Sequence, residues 1–194
     1  AIAERTLDAV LAYQNPYIVA FDLAGNESDY AAEPFQPLFE RAKNEGLGVT
    51  IHAGEWGSAD NIRSAVTALL ADRIGHGVRA IEDVALCDWL IERGVVLEVC
   101  PTSNVHSGAV DHWSQHPLSQ LYRYGVITTI NTDDPLVSDI TLTDELVRVV
   151  EFMSFTVEDV KRHMVNAAQA AFIPAIERNN LVSQFESALG EIPS

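Results

Sequence analysis

His52 and Glu55 stand near the end of the stretch GVTIHAGEWG at 48–57. An imidazole can hold a metal ion, and a carboxyl group can move a proton. Val49, Thr50 and Ile51 just before them are β-branched and have strand character, which puts the pair at a strand end. Ala53 and Gly54 lie between the two, small enough for the backbone to turn sharply and aim both side chains into one space. A buried, hydrogen-bonded histidine beside a surface glutamate accounts for the same residues. The pair alone decides nothing.

Other residues of the same chemical kinds recur along the chain. Asp22 and Gly25 follow one apolar run, His76 stands between Gly75 and Gly77, Ser103 and Asn104 follow Cys100-Pro101, and Asp133 and Asp134 precede Pro135. His52 and Asp133 would give nitrogen and oxygen donors suited to Zn²⁺ and other borderline divalent ions, although a core histidine bonded to a carbonyl explains His52 equally well. Asp before Pro is common in turns. Two adjacent acids repel, however, and a cation relieves that repulsion. His106, His112 and His116 read as surface residues of a loop, and Cys100 as packed rather than reactive. Trp56 either walls a planar ligand or covers a rim.

The elements that must position these residues alternate. Helical spacing covers 2–13 and ends at Asn15-Pro16. Tyr17 to Phe21 reads as a buried strand, and 35–45 as a helix stopped by Gly46. After the strand that starts at Gly48 come a helix over 61–71 capped by Ser58 or Asp60, a short strand at 73–77 and a helix over 82–93. A strand at 95–100 runs into a long loop with three histidines, then a helix at 117–124 and a strand at 126–130. Thr141 with Asp144 and Thr156 with Asp159 are spaced as capping pairs, and a last helix covers 174–189. Short strands alternating with helices specify an α/β fold with a parallel sheet, either doubly wound or a (β/α)8 barrel. No GxGxxG follows a strand, so a dinucleotide fold has no support. In both architectures sites form at the carboxyl ends of strands, and all five strand ends here are polar. Caps or satisfied core groups explain one or two of them, not all five.

Composition narrows the function classes. The 194 residues suffice for one domain with a core, and 28 acids against 12 lysines and arginines give a net charge of −16. That charge argues against non-specific binding to nucleic acid or to an anionic membrane. Two cysteines make no disulfide framework and point to a reducing, cytoplasmic compartment. No apolar run approaches the ~18 residues of a membrane span.

HAGE at 52–55, GHG at 75–77, CPTSN at 100–104 and NTDDP at 131–135 together resemble the adenosine deaminase family, in the family's order and approximate spacings. FDLAGNE at 21–27 and NAAQAAF at 166–172 agree, so the resemblance covers essentially the whole chain. It implies a TIM barrel of the metal-dependent amidohydrolase type and hydrolysis of adenosine or 2'-deoxyadenosine by hydroxide attack at purine C6, giving inosine-type products and ammonia. Carried over by residue, it makes His52 and Asp133 the zinc ligands and Glu55 the acid that protonates N1. His76 would position and help deprotonate the attacking water and stabilise developing charge. Asp134 would bond N7, and the backbone at Gly25 would meet N3. The cytidine-type zinc deaminases use a His or Cys followed by PCxxC, and Cys100-Pro101 is not that motif.

One departure matters. The family's first strand carries an HxH pair that completes the metal site, and the six histidines here contain no such pair. The matched strands correspond to barrel strands 4–8. Residues 1–194 are therefore expected to form one N-terminally truncated barrel domain whose partner is a purine nucleoside, with weak or absent zinc and negligible turnover in isolation. Its open edges near 17–21 and 126–130 are expected to favour self-association. Two alternatives stand beside this expectation: an adenine or other aminopurine deaminase of the same superfamily, and an inactive purine-binding or assembly fragment.

Overall fold

Each strand expected from the sequence is present and pairs in parallel with its neighbours in the chain. The computed structural model describes residues 2–192. Helix α1 (Ile2–Tyr13) leads into β1 (Ala20–Leu23), α2 (Gln36–Asn44), β2 (Gly48–Ala53), α3 (Ala59–Thr67) and β3 (Arg73–His76). Then follow α4 (Val84–Arg93), β4 (Val96–Val99), α5 (Pro101–His106), α6 (Leu118–Tyr124) and β5 (Ile127–Ile130). Four helices end the chain: α7 (Pro135–Ser138), α8 (Leu142–Met153), α9 (Val157–Gln169) and α10 (Ala175–Gly190). The strand order β1-β2-β3-β4-β5 contains no reversal. A doubly wound sheet reverses at its switch point, so this sheet is an arc of a barrel.

The two faces of the arc differ in chemistry. Val49, Ile51, Ile74, Leu97 and Val99 are buried with Phe39, Ile62, Leu86, Leu90 and Leu121 of the helices, which places the apolar core between sheet and helices. On the alternate positions, His52 pairs with Gly75, Gly75 with Glu98 and Glu98 with Thr129. These four share one row across the sheet and, by the two-residue repeat of a strand, one face. The inner face is thus polar where it nears the strand ends. Lower on the same face Arg73 pairs with Glu98 at 3.0 Å, donates to the Ala170 carbonyl at 2.9 Å and stacks over the Phe172 ring at 3.7 Å. That arginine ties the amino ends of the strands to the segment after α9.

The capping pairs are real. Thr141 with Asp144 and Thr156 with Asp159 form reciprocal capping boxes at α8 and α9, each worth about 1 kcal/mol by the usual cost of removing such a cap. Helix α9 is fastened to β5 by His163 Nε2 at 2.8 Å from Thr128 Oγ1 and by Asn166 donating to the Thr128 carbonyl at 3.0 Å. Among the described residues no helix is long and apolar enough to cross a membrane.

Three expectations need correction. The first strand is Ala20–Leu23 rather than 17–21, and it is only partly buried. Asn15 accepts the Tyr17 N–H through its side chain and the Ile18 N–H through its carbonyl, so 15–18 is a turn with Tyr17 exposed. The helix expected over 61–71 ends at Thr67. The long loop after Cys100 is largely helical, because Pro101 fits the first position of α5 and a 3-10 turn covers Trp113–Gln115.

Candidate active site

Two of the polar strand ends carry backbone strain. His76, closing β3, has φ 63°, and Asp133, just past β5, has φ 55°. Non-glycine residues seldom adopt this left-handed conformation, and where they do the surrounding structure holds them there. The result at β3 is that His76 turns inward, 1% exposed, beside His52 at the end of β2. Gly75 makes the approach possible, since a Cβ there would lie 2.7 Å from His52 Cδ2.

His52, Glu55 and His76 converge. His76 Nε2 lies 3.2 Å from His52 Nδ1 and 3.4 Å from Glu55 Oε2, with the two rings edge to face at 4.8 Å. Glu55, 7% exposed, accepts the Ser107 hydroxyl at 3.0 Å and the Asn104 amide at 3.4 Å on Oε1. Burial, opposed by those bonds, raises the Glu55 pKa above the ordinary carboxylate value.

A chain of hydrogen bonds fixes the proton on His76. The Leu118 N–H donates to His116 Nδ1 at 3.1 Å, so neutral His116 carries its proton on Nε2. That N–H donates to Asn104 Oδ1 at 3.2 Å, which turns the Asn104 amide nitrogen toward His76 Nδ1 at 3.0 Å. Nδ1 of His76 therefore accepts, and its proton sits on Nε2, facing His52 and Glu55. Burial holds both rings neutral, pushing His116 down to about 3 and, with the His52 charge added, His76 down to about 4. His116 was expected on the surface. It is 3% exposed, folded under the loop by the extended backbone before Pro117.

Around His52 the field is negative. Burial works against a charge on its ring, but Asp22, 3.7 Å from Nε2, together with Asp133 and Glu55 raises its pKa above the usual histidine value. Such a convergence of carboxylates on one imidazole favours a cation. His52, Glu55 and His76 each offer a ligand atom within 4.8 Å of the others, and so do His76, Cys100 and Asp133. His52 and Asp133 thus fall in two groups that share His76. Asp133 is exposed and accepts the Ser103 hydroxyl at 2.6 Å. Cys100 is buried, and burial pushes its thiol well above the ordinary value, which agrees with a packed, unreactive cysteine. The nitrogen and carboxylate donors fit a divalent cation such as zinc.

Gly25 follows β1 and lines a cavity of about 220 Å³ with Leu23, Tyr30, Phe35 and His52. Asp134 is exposed at the start of α7, outside both groups. Trp56 is 41% exposed. Glu27, two residues after Gly25, accepts the backbone N–H groups of Gly54, Glu55, Trp56 and Gly57 at 2.6–3.0 Å. It belongs to FDLAGNE, where spacing gives it no role, and Asn104, a polar strand-end residue of CPTSN, is given no partner by the sequence. The partners of Glu27 in the 54–57 loop are 27 or more residues away along the chain, and Asn104 meets His76 28 residues away and His116 12 away.

The family model described as Adenosine deaminase matches residues 1–188. The chain is similar to an adenosine deaminase of Clostridium acetobutylicum, 39% identical over 185 residues, 94% of this chain and 55% of that protein. An adenosine deaminase of Serratia proteamaculans is 39% identical over 177 residues, 91% of this chain and 53% of that protein. Among solved structures, an adenine deaminase from Arthrobacter aurescens superposes with a TM-score of 0.90 at 31% identity, covering 97% of this chain and 57% of that one. An amidohydrolase from Burkholderia ambifaria with bound Zn gives a TM-score of 0.91 at 26% identity, covering 97% and 53%. The chain spans about half the length of the relatives it matches. Its sheet and flanking helices correspond to part of a TIM barrel in these structures.

Proposed function

The chain belongs to the adenosine deaminase family, and from that premise we propose that it serves the hydrolytic deamination of adenosine and 2'-deoxyadenosine, with release of ammonia. The observation that carries this reading is the convergence of His52, Glu55 and His76 on one space, with the Glu55 pKa raised by burial. Purine salvage in the cytoplasm is the matching physiological role, and the two free, buried cysteines agree with a reducing compartment.

His52 and Asp133 would hold the metal. Zinc, when bound, lowers the pKa of a coordinated water to about 7 and so supplies a nucleophile at neutral pH. Glu55 donates its proton to purine N1 as C6 is attacked, and its raised pKa keeps the acid form available. Ser107 and Asn104 hold Oε1 and so leave Oε2 to face the reaction space. The tautomer of His76 divides the two roles that the resemblance implies for it. A neutral ring with its proton on Nε2 donates a hydrogen bond there, which stabilises developing negative charge and makes the ring a poor base. Gly25 would meet N3 through its backbone, with Leu23 and Phe35 as an apolar wall, and Asp134 would bond N7.

The likeness to an adenine deaminase favours one second reading, the free base as substrate. The test is ammonia release by the complete gene product, supplied with zinc and offered adenosine, 2'-deoxyadenosine or adenine. Preference for the nucleosides supports the first reading, preference for adenine the second, and no release from any of the three by zinc-loaded protein overturns both. The 194 residues offer one histidine and one aspartate to the metal and contain no HxH pair. By themselves they should bind zinc weakly and turn over negligibly. Stoichiometric zinc with rapid turnover in the isolated chain would show that this ligand set is complete.

A further inference from the structure

We propose that Glu27 is a positioning residue for Glu55: its carboxylate clamps the loop after β2 to the loop after β1, and so fixes the proton donor relative to the Gly25 backbone. The clamp rests on geometry alone, while its role in catalysis rests on the deaminase reading of Glu55 and Gly25.

Four successive backbone N–H groups point at one side chain. Oε1 of Glu27 accepts from Glu55 at 2.6 Å, Trp56 at 2.9 Å and Gly57 at 3.0 Å. Oε2 accepts from Gly54 at 2.8 Å and from the Asn61 side-chain amide at 3.0 Å. Ser58, at the start of α3, makes no capping bond with its hydroxyl, and the N–H groups before it turn to Glu27 instead. Backbone donors left without partners in a turn cost free energy, and a carboxylate is the strongest acceptor available. The shape of the loop bears this out. A Cβ at Gly57 would overlap Asn61 Nδ2 and come within 2.7 Å of Glu27 Oε2, so the clamp occupies the space a side chain would take. Glu27 comes from the turn that carries Gly25, and Asn26 braces that turn by accepting the Ser28 N–H at 3.0 Å. The two loops that would meet N1 and N3, the nitrogens flanking C2 of a purine, are joined by this one carboxylate.

Amide hydrogen exchange on the chain tests the clamp without any need for activity. Trp56 and Gly57 are not buried, so their protection reports the hydrogen bonds. In Glu27→Ala, exchange at residues 54–57 should accelerate about tenfold or more, while Val49–Ile51 in β2 keep their rates. Glu27→Gln discriminates further. It retains an oxygen for Glu55, Trp56 and Gly57 but can set an amide nitrogen against the Gly54 N–H, so Gly54 should lose protection most. Unchanged exchange at 54–57 in both variants overturns the clamp, as does equal acceleration throughout β2. In the complete gene product, the positioning role requires Glu27→Ala to lower kcat far more than it raises KM, with bound zinc unchanged and Glu27→Gln intermediate. A drop in zinc content parallel to activity would overturn that role. If no variant or wild type deaminates adenosine while the exchange pattern holds, the clamp stands and only the functional reading falls.

Discussion

The backbone N–H of Leu118 donates to Nδ1 of His116 at 3.1 Å, and this bond orients every donor and acceptor up to the site. From it follow the Nε2 proton of His116, the orientation of Asn104 and the Nε2 proton of His76. Nitrogen-15 spectra of the histidine rings should show the Nε2–H tautomer at both residues. Asn104→Asp replaces the donor facing His76 with an acceptor, so it should move the His76 proton to Nδ1. An unchanged His76 tautomer in that variant would remove the relay.

Acid should destabilise the fold through the same rings. The folded pKa of His116 is about 3 and that of His76 about 4, against 6.5 for the ordinary side chain. In both, the unfolded chain takes up the proton first, so their contribution is fully present above pH 6.5 and is lost as the pH falls toward 3–4. Denaturant midpoints measured from pH 7 down to 4 should fall steadily, and His116→Gln should flatten the slope. Gln offers the same donor and acceptor without a titrating ring.

Gly75→Ala should disturb the metal site without replacing a ligand. The new methyl would meet His52 Cδ2 at 2.7 Å, forcing that ring to shift. We expect weaker zinc binding in the complete gene product, read by competition with a chelating dye, and a melting temperature reduced by a few degrees. Wild-type zinc affinity in the variant would show that His52 does not hold the metal.

Glu55→Gln should lower turnover by about 10²–10⁴-fold, the usual worth of a positioned general acid, with zinc still bound. Substantial activity there would take the proton-donor role away from Glu55.

We also propose that the chain self-associates. Among the described residues β1 pairs only with β2 and β5 only with β4, which leaves the outer edge of each open. Light scattering of the 194 residues should report a mass above that of the monomer. A monodisperse monomer would sink the idea.

Periodicity made most helices and the β2–β5 strands legible, α2, α3, α4 and α6 because their apolar repeats face a single core, while the short α5 and α7 went unread. Capping residues placed α8 and α9 within a residue. The first strand slipped because an edge strand has one neighbour and little burial to mark it, while an Asx turn consumed its apolar start. His52, Glu55 and His76 could be read from strand ends. Asn104 and Glu27 could not be given roles, because their contacts to His76, Glu55 and the 54–57 loop are far off in sequence and exist only once the strands are in register. His116 misled in a specific way. A histidine among polar loop residues carries no local sign of burial, and its cover is supplied by the turn before Pro117 and by Asn104.

The Arg73 contacts at the amino ends of the strands have an evolutionary consequence. Arg73, Ala170 and Phe172 bind the sheet to the segment after α9 at the end remote from Glu55, whereas Glu98 shares the row of His52 nearer the site. Mutational tolerance should therefore split along the barrel axis. A library screened only for heat resistance would collect its losses around Arg73 and pass over Glu55. A library screened for chemistry would do the reverse, and a lineage could harden one end while retuning the other.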